Sequence, residues 1–273
     1  MINSVCIVGC GWFGLPLAQE LVARGISVNG SKRSLEDASA LSQGGINGFA
    51  LDLAQAEPEQ QSQVSLETVL NTDCLVVNIP PGLRRDPNAY HAKLTKLIAL
   101  IGDIRYQKIV FISTTGVYPS LEMLMTEQDA VAHSEVSEKL LQAEAMFLAL
   151  DNCTIARFSG LVGPKRHPGR FLAGRTELAD PQAPVNIVHL TDCIGAVTKL
   201  IFEPSSAGIY NICAPKHPTR EAFYRQASLD LGLVAPQFVQ NSAGGKLISS
   251  NRLVKELNFE YQFSDPMDML NAC

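Results

Sequence analysis

The chain is predicted to be an α/β protein, a doubly wound parallel sheet with a smaller C-terminal lobe. Three observations predict it. Apolar, β-branched runs alternate with helical stretches through the first 160 residues; glycines cluster where the first run meets the first helix; and beyond Phe158 the texture turns to glycine and proline.

The strand-like runs are Val5–Val8, Ile26–Gly30, Gly48–Leu51, Cys74–Ile79, Ile109–Ser113 and Thr154–Phe158. Most are continuously apolar, the pattern of strands buried on both faces of a parallel sheet. Between the first two, Trp12–Arg24 places Leu17, Ala18, Leu21 and Val22 on one helical stripe and stops at Gly25. Further helices are predicted over Leu35–Ser42, Pro87–Ile101 and Glu135–Leu150. Strands joined by crossover helices imply right-handed βαβ units. Residues 160–186 carry Gly160, Gly163, Pro164, Pro168, Gly169, Gly174, Pro181 and Pro184, a loop-rich region. A helix Asp192–Phe202, a strand Ile209–Ile212 and a helix Arg220–Leu231 follow.

The 273 residues are 46% hydrophobic and 18% charged, with a net charge of −5. No clustered Lys and Arg run offers a surface to a phosphate backbone, so nucleic acid is not expected as a partner. No apolar stretch approaches the roughly 20 residues of a membrane span, and a strand so near the start leaves no room for a signal peptide. The seven cysteines are scattered without a C-x-x-C pair. They read as small buried apolar residues of a reducing cytoplasm, and no metal site is expected.

Gly9-Cys-Gly11-Trp12-Phe13-Gly14 follows an apolar strand and opens a helix. In that context G-x-G-x-x-G binds a dinucleotide on a Rossmann-type sheet. The first two glycines let a diphosphate approach the exposed N–H groups of the helix, and the third lets the helix pack on the strand. A plain tight turn is the bland alternative. Residues 1–160 are thus read as the nicotinamide-dinucleotide domain and 161–273 as a C-terminal substrate lobe, part of which returns to the sheet. The end of the second strand selects the cofactor. NAD-binding folds place an acid there for the ribose hydroxyls, whereas this chain reads Ser31-Lys32-Arg33-Ser34. Those groups suit a 2′-phosphate, so NADP is expected over NAD. Asp52 after the third strand and Asn78-Ile79-Pro80-Pro81 after the fourth complete the candidate cofactor residues; a cap and an ordinary turn are their plainer readings.

Ser113-Thr-Thr-Gly-Val-Tyr118, Ala156-Arg-Phe-Ser-Gly-Leu-Val-Gly-Pro164, Val185-Asn-Ile-Val-His-Leu-Thr-Asp192 and Gly208-Ile-Tyr-Asn-Ile212 follow in order. Together they resemble the extended short-chain dehydrogenase/reductase superfamily, the nucleoside-diphosphate-sugar epimerases and dehydratases, and the opening glycines are similar to its atypical members. The resemblance spans nearly the whole chain and implies an NADP-dependent epimerase or reductase acting on a nucleotide-sugar or similar carbonyl compound. It places Thr114 at the hydroxyl that hydrogen-bonds the reacting oxygen, Asn78–Pro81 beside the nicotinamide half, Asp52 at the adenine and the Gly163-Pro164 loop over the substrate. His189 and Asp192 read as structural. Dimers through the helices flanking the fifth strand are a family habit, and Leu94, Leu97, Ile98 and Ile101 form an apolar stripe there.

The chain departs from the family at its Y-x-x-x-K motif. That motif falls in Ser134-Glu-Val-Ser-Glu-Lys-Leu140, which has no Tyr. Lys139 matches the Lys in one register, with Glu135 in place of Tyr; the Leu-Leu-Gln-Ala-Glu144 that follows favours another in which the Lys is also gone. A solvated i, i+4 pair is the plainer reading of Glu135 and Lys139. Tyr118, four residues beyond Thr114, is a candidate replacement for the phenol. Two functions therefore compete: the enzyme, and an NADP-binding redox sensor or regulatory protein that has lost its proton donor.

Overall fold

A computed structural model describes residues 1–55, 65–83, 86, 88–239 and 244–273. Its main sheet has seven strands in the order β10-β7-β5-β4-β1-β2-β3. These are β1 (Ser4–Val8), β2 (Ser27–Lys32), β3 (Asn47–Ala50), β4 (Cys74–Val77), β5 (Lys108–Thr114), β7 (Cys153–Phe158) and β10 (Gly208–Ile212). The pairings β1 with β2, β1 with β4, β2 with β3 and β4 with β5 are parallel, and the central β1 and β4 are the continuous apolar runs of a sheet covered on both faces. Val5, Cys6, Ile7 and all four residues of β4 are fully buried. The order reverses between β1 and β4, and the crevice at such a reversal is where doubly wound sheets take their ligands.

Helices α1 (Gly14–Ala23), α2 (Leu35–Ser39), α3 (Leu66–Leu70), α4 (Ala89–Ile101), α5 (Glu135–Leu148) and α7 (Leu190–Phe202) lie between these strands in the chain, and α8 (Arg220–Asp230) follows β10. The predicted α4 began at Pro87, which lies outside the described residues. Of the apolar stripe of α4, Leu94, Leu97 and Ile101 are buried within the single chain and belong to its core, while Ile98 is half-buried. Shorter elements went unpredicted: β6 (Leu124–Met125) pairs with β11 (Leu247–Ile248), β8 (Gly160–Val162) with β9 (Ile187–His189), and α6 (Gly169–Leu172), α9 (Asn251–Leu257) and α10 (Pro266–Met269) pack among them.

The chain falls into two compact units. Met1–Ser113, Glu138–Ala156 and Val197–Gly208 form one; Thr114–Ser137, Arg157–Ala196 and Ile209–Cys273 form the other. The first is held by the sheet and by pairs such as Phe111 stacked on Phe147, centroids 4.3 Å apart. The second has its own core of Val162, Val185, Ile187, Phe223, Met269 and neighbours. Burying an aromatic or branched side chain is worth about 1.5–3 kcal/mol, so each of these side chains contributes to holding its own unit together.

In the second unit, two buried histidines hold the C-terminal segment. His167 Nε2 meets the Leu270 carbonyl at 3.1 Å and His189 Nε2 the Ala272 carbonyl at 3.2 Å. Asp192 accepts the N–H groups of Gln262 and Phe263 at 2.7 and 3.1 Å, in the structural role read from sequence. No helix of the described residues is long and apolar enough to cross a membrane. Six cysteines are buried and free, and burial pushes the Cys10 thiol up to about 11. Among the described residues no cluster of His, Cys, Asp and Glu could hold a metal.

Candidate functional site

The glycine loop is built from both sides of the sheet reversal. Gly9 turns at φ +108°, and a Cβ there would meet the Asn78 backbone oxygen at 2.2 Å. The Asn78 side chain donates to the Gly9 carbonyl at 2.9 Å, and its N–H donates to the Val8 carbonyl at 2.9 Å. Gly14 is needed for close packing, since its Cβ would lie 2.2 Å from the Gly9 carbonyl oxygen. Gly11 differs from both. A Cβ there would meet nothing within 4 Å. The space it leaves open stands before α1, whose N-cap, Phe13, supplies no side-chain hydrogen bond to the first turn. Phe13 is itself buried and Trp12 half-buried. An uncapped helix N-terminus behind a side-chain-free approach fits the diphosphate of a dinucleotide.

The end of β2 is divided between support and display. Ser31 is buried, and its hydroxyl accepts the Gly9 N–H at 2.9 Å while its carbonyl accepts that of Cys10 at 3.0 Å. That placement corrects the expectation that Ser31 faces a ribose phosphate: β2 runs two residues past the predicted strand, which turns the hydroxyl under the loop. Lys32 is half-buried and Arg33 exposed, and among the described residues neither forms an ion pair. Lys32 also lines a cleft of about 350 Å³ with Leu15, Gln19, Asp37, Leu41 and Ile46. Asp52 accepts the Ala54 N–H at 3.0 Å, capping the turn after β3. Ile79, Pro80 and Pro81 continue irregularly from β4, because two prolines remove ladder donors.

Thr114 closes β5. Its side-chain oxygen accepts the Gly116 N–H at 3.2 Å, starting a 3₁₀ turn over Thr115–Val117. An accepted backbone N–H leaves the hydroxyl proton to donate elsewhere. Tyr118 sits at the end of that turn with no exposed surface. Its hydroxyl donates to Asn211 Oδ1 at 2.7 Å and accepts from the Arg157 guanidinium at 2.7 Å, which also lies 5.2 Å from the ring centroid. Arg157 donates further to the Glu127 carbonyl at 2.9 Å, and the Glu127 carboxylate accepts the Asn211 N–H at 2.9 Å. Burial raises the Tyr118 phenol and the Glu127 carboxyl alike, Arg157 offsetting both in part. A phenol with its proton committed to a buried amide and its lone pair to an arginine is a structural group. It is not presented to a substrate.

Lys139, on the second turn of α5, donates to Asn88 Oδ1 at 3.1 Å in the first unit. Further along α5, buried Glu144 accepts the Ser113 hydroxyl at 2.5 Å, anchoring the helix to β5. Glu135, aligned with the missing Tyr in one register, and Val136, the next residue, are both exposed. Sequence reasoning did not single out Glu127, Asn211, Lys246 or Arg252. Arg252 donates to both carboxylate oxygens of Glu256 at 3.1 and 3.0 Å and stacks 4.6 Å over Tyr210. With Thr126, Glu127 and Gln128 this pair lines a cavity of about 420 Å³.

No protein-family profile matches the chain. Its fold does match solved structures. UDP-glucuronic acid 4-epimerase from Bacillus cereus, in complex with NAD, superposes with a TM-score of 0.77 at 16% identity, over 98% of this chain and 96% of that one. Human epimerase family protein SDR39U1 with NADPH gives 0.70 at 20% identity, over 98% and 97%. The fold is therefore that of the extended short-chain dehydrogenase/reductases and nucleotide-sugar epimerases, as the ordered signatures implied. Escherichia coli (strain K12) Protein YeeZ is 39% identical over 276 residues, 98% of this chain and 99% of that protein. The chain belongs to the YeeZ family.

Proposed function

We propose that this protein binds NADP and uses it to reduce or epimerise a nucleotide-sugar or a similar polar carbonyl compound. The observation that carries the reading is the open space at Gly11 before an uncapped α1, at the sheet reversal. In this reading Gly9, Gly11 and Gly14 shape the diphosphate site, Lys32 and Arg33 hold the 2′-phosphate, Asp52 borders the adenine, and Asn78–Pro81 border the nicotinamide. When bound, the nicotinamide supplies or accepts a hydride. Thr114, already accepting the Gly116 N–H, donates its proton in a hydrogen bond to the substrate oxygen. The folds of NAD- and NADPH-bound epimerase relatives support a nicotinamide cofactor, and the two basic residues at β2 support NADP.

Calorimetric titration with NADPH and NADH at one salt concentration tests the cofactor. A charge-assisted contact to phosphate is worth about 1.5–3 kcal/mol, so NADPH should bind about tenfold tighter or more, and Arg33→Glu should erase the preference. Equal affinities would overturn the NADP assignment. Mass spectrometry of ligands retained through purification identifies the substrate class.

A second reading has its own observation. Tyr118 is sequestered by Asn211 and Arg157, and α5 offers no phenol, so a cofactor-binding sensor without turnover fits the same loop. Tight NADPH binding with no turnover on any nucleotide-sugar or carbonyl compound would favour it.

A further inference from the structure

The turn that carries Thr114 is gripped by a lysine from far along the chain. Lys246 Nζ donates to the Thr115 carbonyl at 3.1 Å and to the Tyr118 carbonyl at 2.6 Å, spanning the turn within the second unit. Its backbone is fixed as firmly. Asn186 donates its side-chain N–H to the Lys246 carbonyl at 2.8 Å and accepts the Ile248 N–H at 2.8 Å. On the other side the Leu247 and Ser249 N–H groups donate to Met123 and Met125, locking β11 beside β6.

Such a mount is costly for a turn brace alone. The ammonium is half-buried, and both of its acceptors are neutral carbonyls. Among the described residues no carboxylate is paired with it. Burial accordingly lowers its proton affinity, with no charged neighbour contributing in either direction. A desolvated cation without a counter-ion is unfavourable until an anion arrives. An ammonium has three N–H donors, and two are spent on the turn.

We infer that Lys246 is a specificity-determining residue that takes an oxyanion of the substrate, a carboxylate or phosphate oxygen, on its third N–H while its other two hold the turn of Thr114. The inference rests on the proposed substrate site. It supplies, from the residue before β11, a cation beside the turn of Thr114, in a chain whose α5 lacks the family's Tyr. The substrate is accordingly an anionic carbonyl compound, and an uncharged sugar or ketone is discriminated against.

The test labels lysine with ¹³C in the full chain, assigns the Lys246 ε-CH₂ signal with Lys246→Met, and titrates three probes separately. UDP-glucose offers phosphates only, glucuronate a carboxylate only, and methyl glucoside neither. The expected result is that one anionic probe shifts the Lys246 signal and binds at least tenfold more weakly to Lys246→Met. Lys246→Arg, which keeps the charge, should recover affinity to within a few-fold, and methyl glucoside should have no effect. The probe that binds tells phosphate from carboxylate. Unchanged affinity in Lys246→Met overturns the inference, and so does the absence of binding by both anions. If Lys246→Met does not fold, Lys246→Arg assigns the signal: a shift of the native Lys246 signal by one anionic probe, with affinity kept to within a few-fold in Lys246→Arg, supports the inference, and a shift by methyl glucoside, or by neither anion, overturns it. A parallel NADPH titration of the native chain reports on the cofactor reading separately.

Discussion

The side chain of Asn78 donates to the carbonyl of Gly9 across 2.9 Å, tying the end of β4 to the loop after β1. The two strands are neighbours at the point where the sheet order reverses, so one hydrogen bond sets the floor of the candidate dinucleotide site. The three glycines of the motif do different work around it, and they are separable by mutation.

Gly11→Val should leave the fold intact and abolish NADPH binding, because its side chain enters space that no protein atom occupies. Gly14→Ala should instead destabilise the protein by about 1–3 kcal/mol, since its Cβ would press on the Gly9 carbonyl. Urea unfolding and NADPH fluorescence, measured on both variants, check the pair. A folded Gly11→Val that still binds NADPH would place the phosphates elsewhere.

Much of this first unit was legible because its signals are local. Continuous apolar runs gave β1 and β4, and glycine spacing gave the loop within six residues. Ser31 was misread for a local reason too: β2 continues two residues past its apolar run, and the strand's pleat, not the composition of the turn, decides where that hydroxyl points. The second unit was far less legible. Tyr118 reaches Asn211 across 93 positions, and Lys246 reaches Thr115 across 131. No window of sequence contains both members of either pair. Strands of two or three residues, such as β6 and β8, carry no readable period, and their pairing comes from tertiary packing.

Tyr118→Phe tests whether that hydroxyl is structural. It removes one acceptor from Arg157 and one donor from Asn211, both buried, at an expected cost of about 1–3 kcal/mol in unfolding free energy. The loss should be non-additive with Asn211→Ala, because the two variants break one network. Denaturant unfolding of the single and double variants measures the coupling; strict additivity would dissolve the network.

Acid should weaken the fold from about pH 6.5 downward. His189 accepts the Thr191 N–H on Nδ1 at 3.2 Å, which requires a neutral ring, and burial holds His189, His217 and His91 below the usual imidazole range. The unfolded chain takes up protons near pH 6.5, so stability is full above that value and is lost as pH falls towards the depressed folded values. Asp192 and Glu127, raised by burial, act with the opposite sign within the carboxylate range. Thermal unfolding from pH 7.5 to 5.5 should show a falling Tm, flattened in His189→Gln and His217→Gln; a level native profile would contradict the assignment.

The last prediction concerns the missing proton donor. A positioned general acid contributes about 10²–10⁴-fold, so a site with Thr114 but no phenol should turn over slowly. Thr114→Ala removes the one hydroxyl expected at the reacting oxygen and should reduce NADPH-dependent turnover of a nucleotide-sugar about tenfold or more. Lys139→Met should have little effect, since Lys139 is engaged with Asn88. Glu135→Tyr restores a Y-x-x-x-K spacing with Lys139 on the exposed start of α5. If Glu135 holds the vacated position, that variant should gain turnover over the native chain. NADPH absorbance followed across these three variants decides the matter: brisk native turnover that survives Thr114→Ala would move the reacting oxygen away from the end of β5.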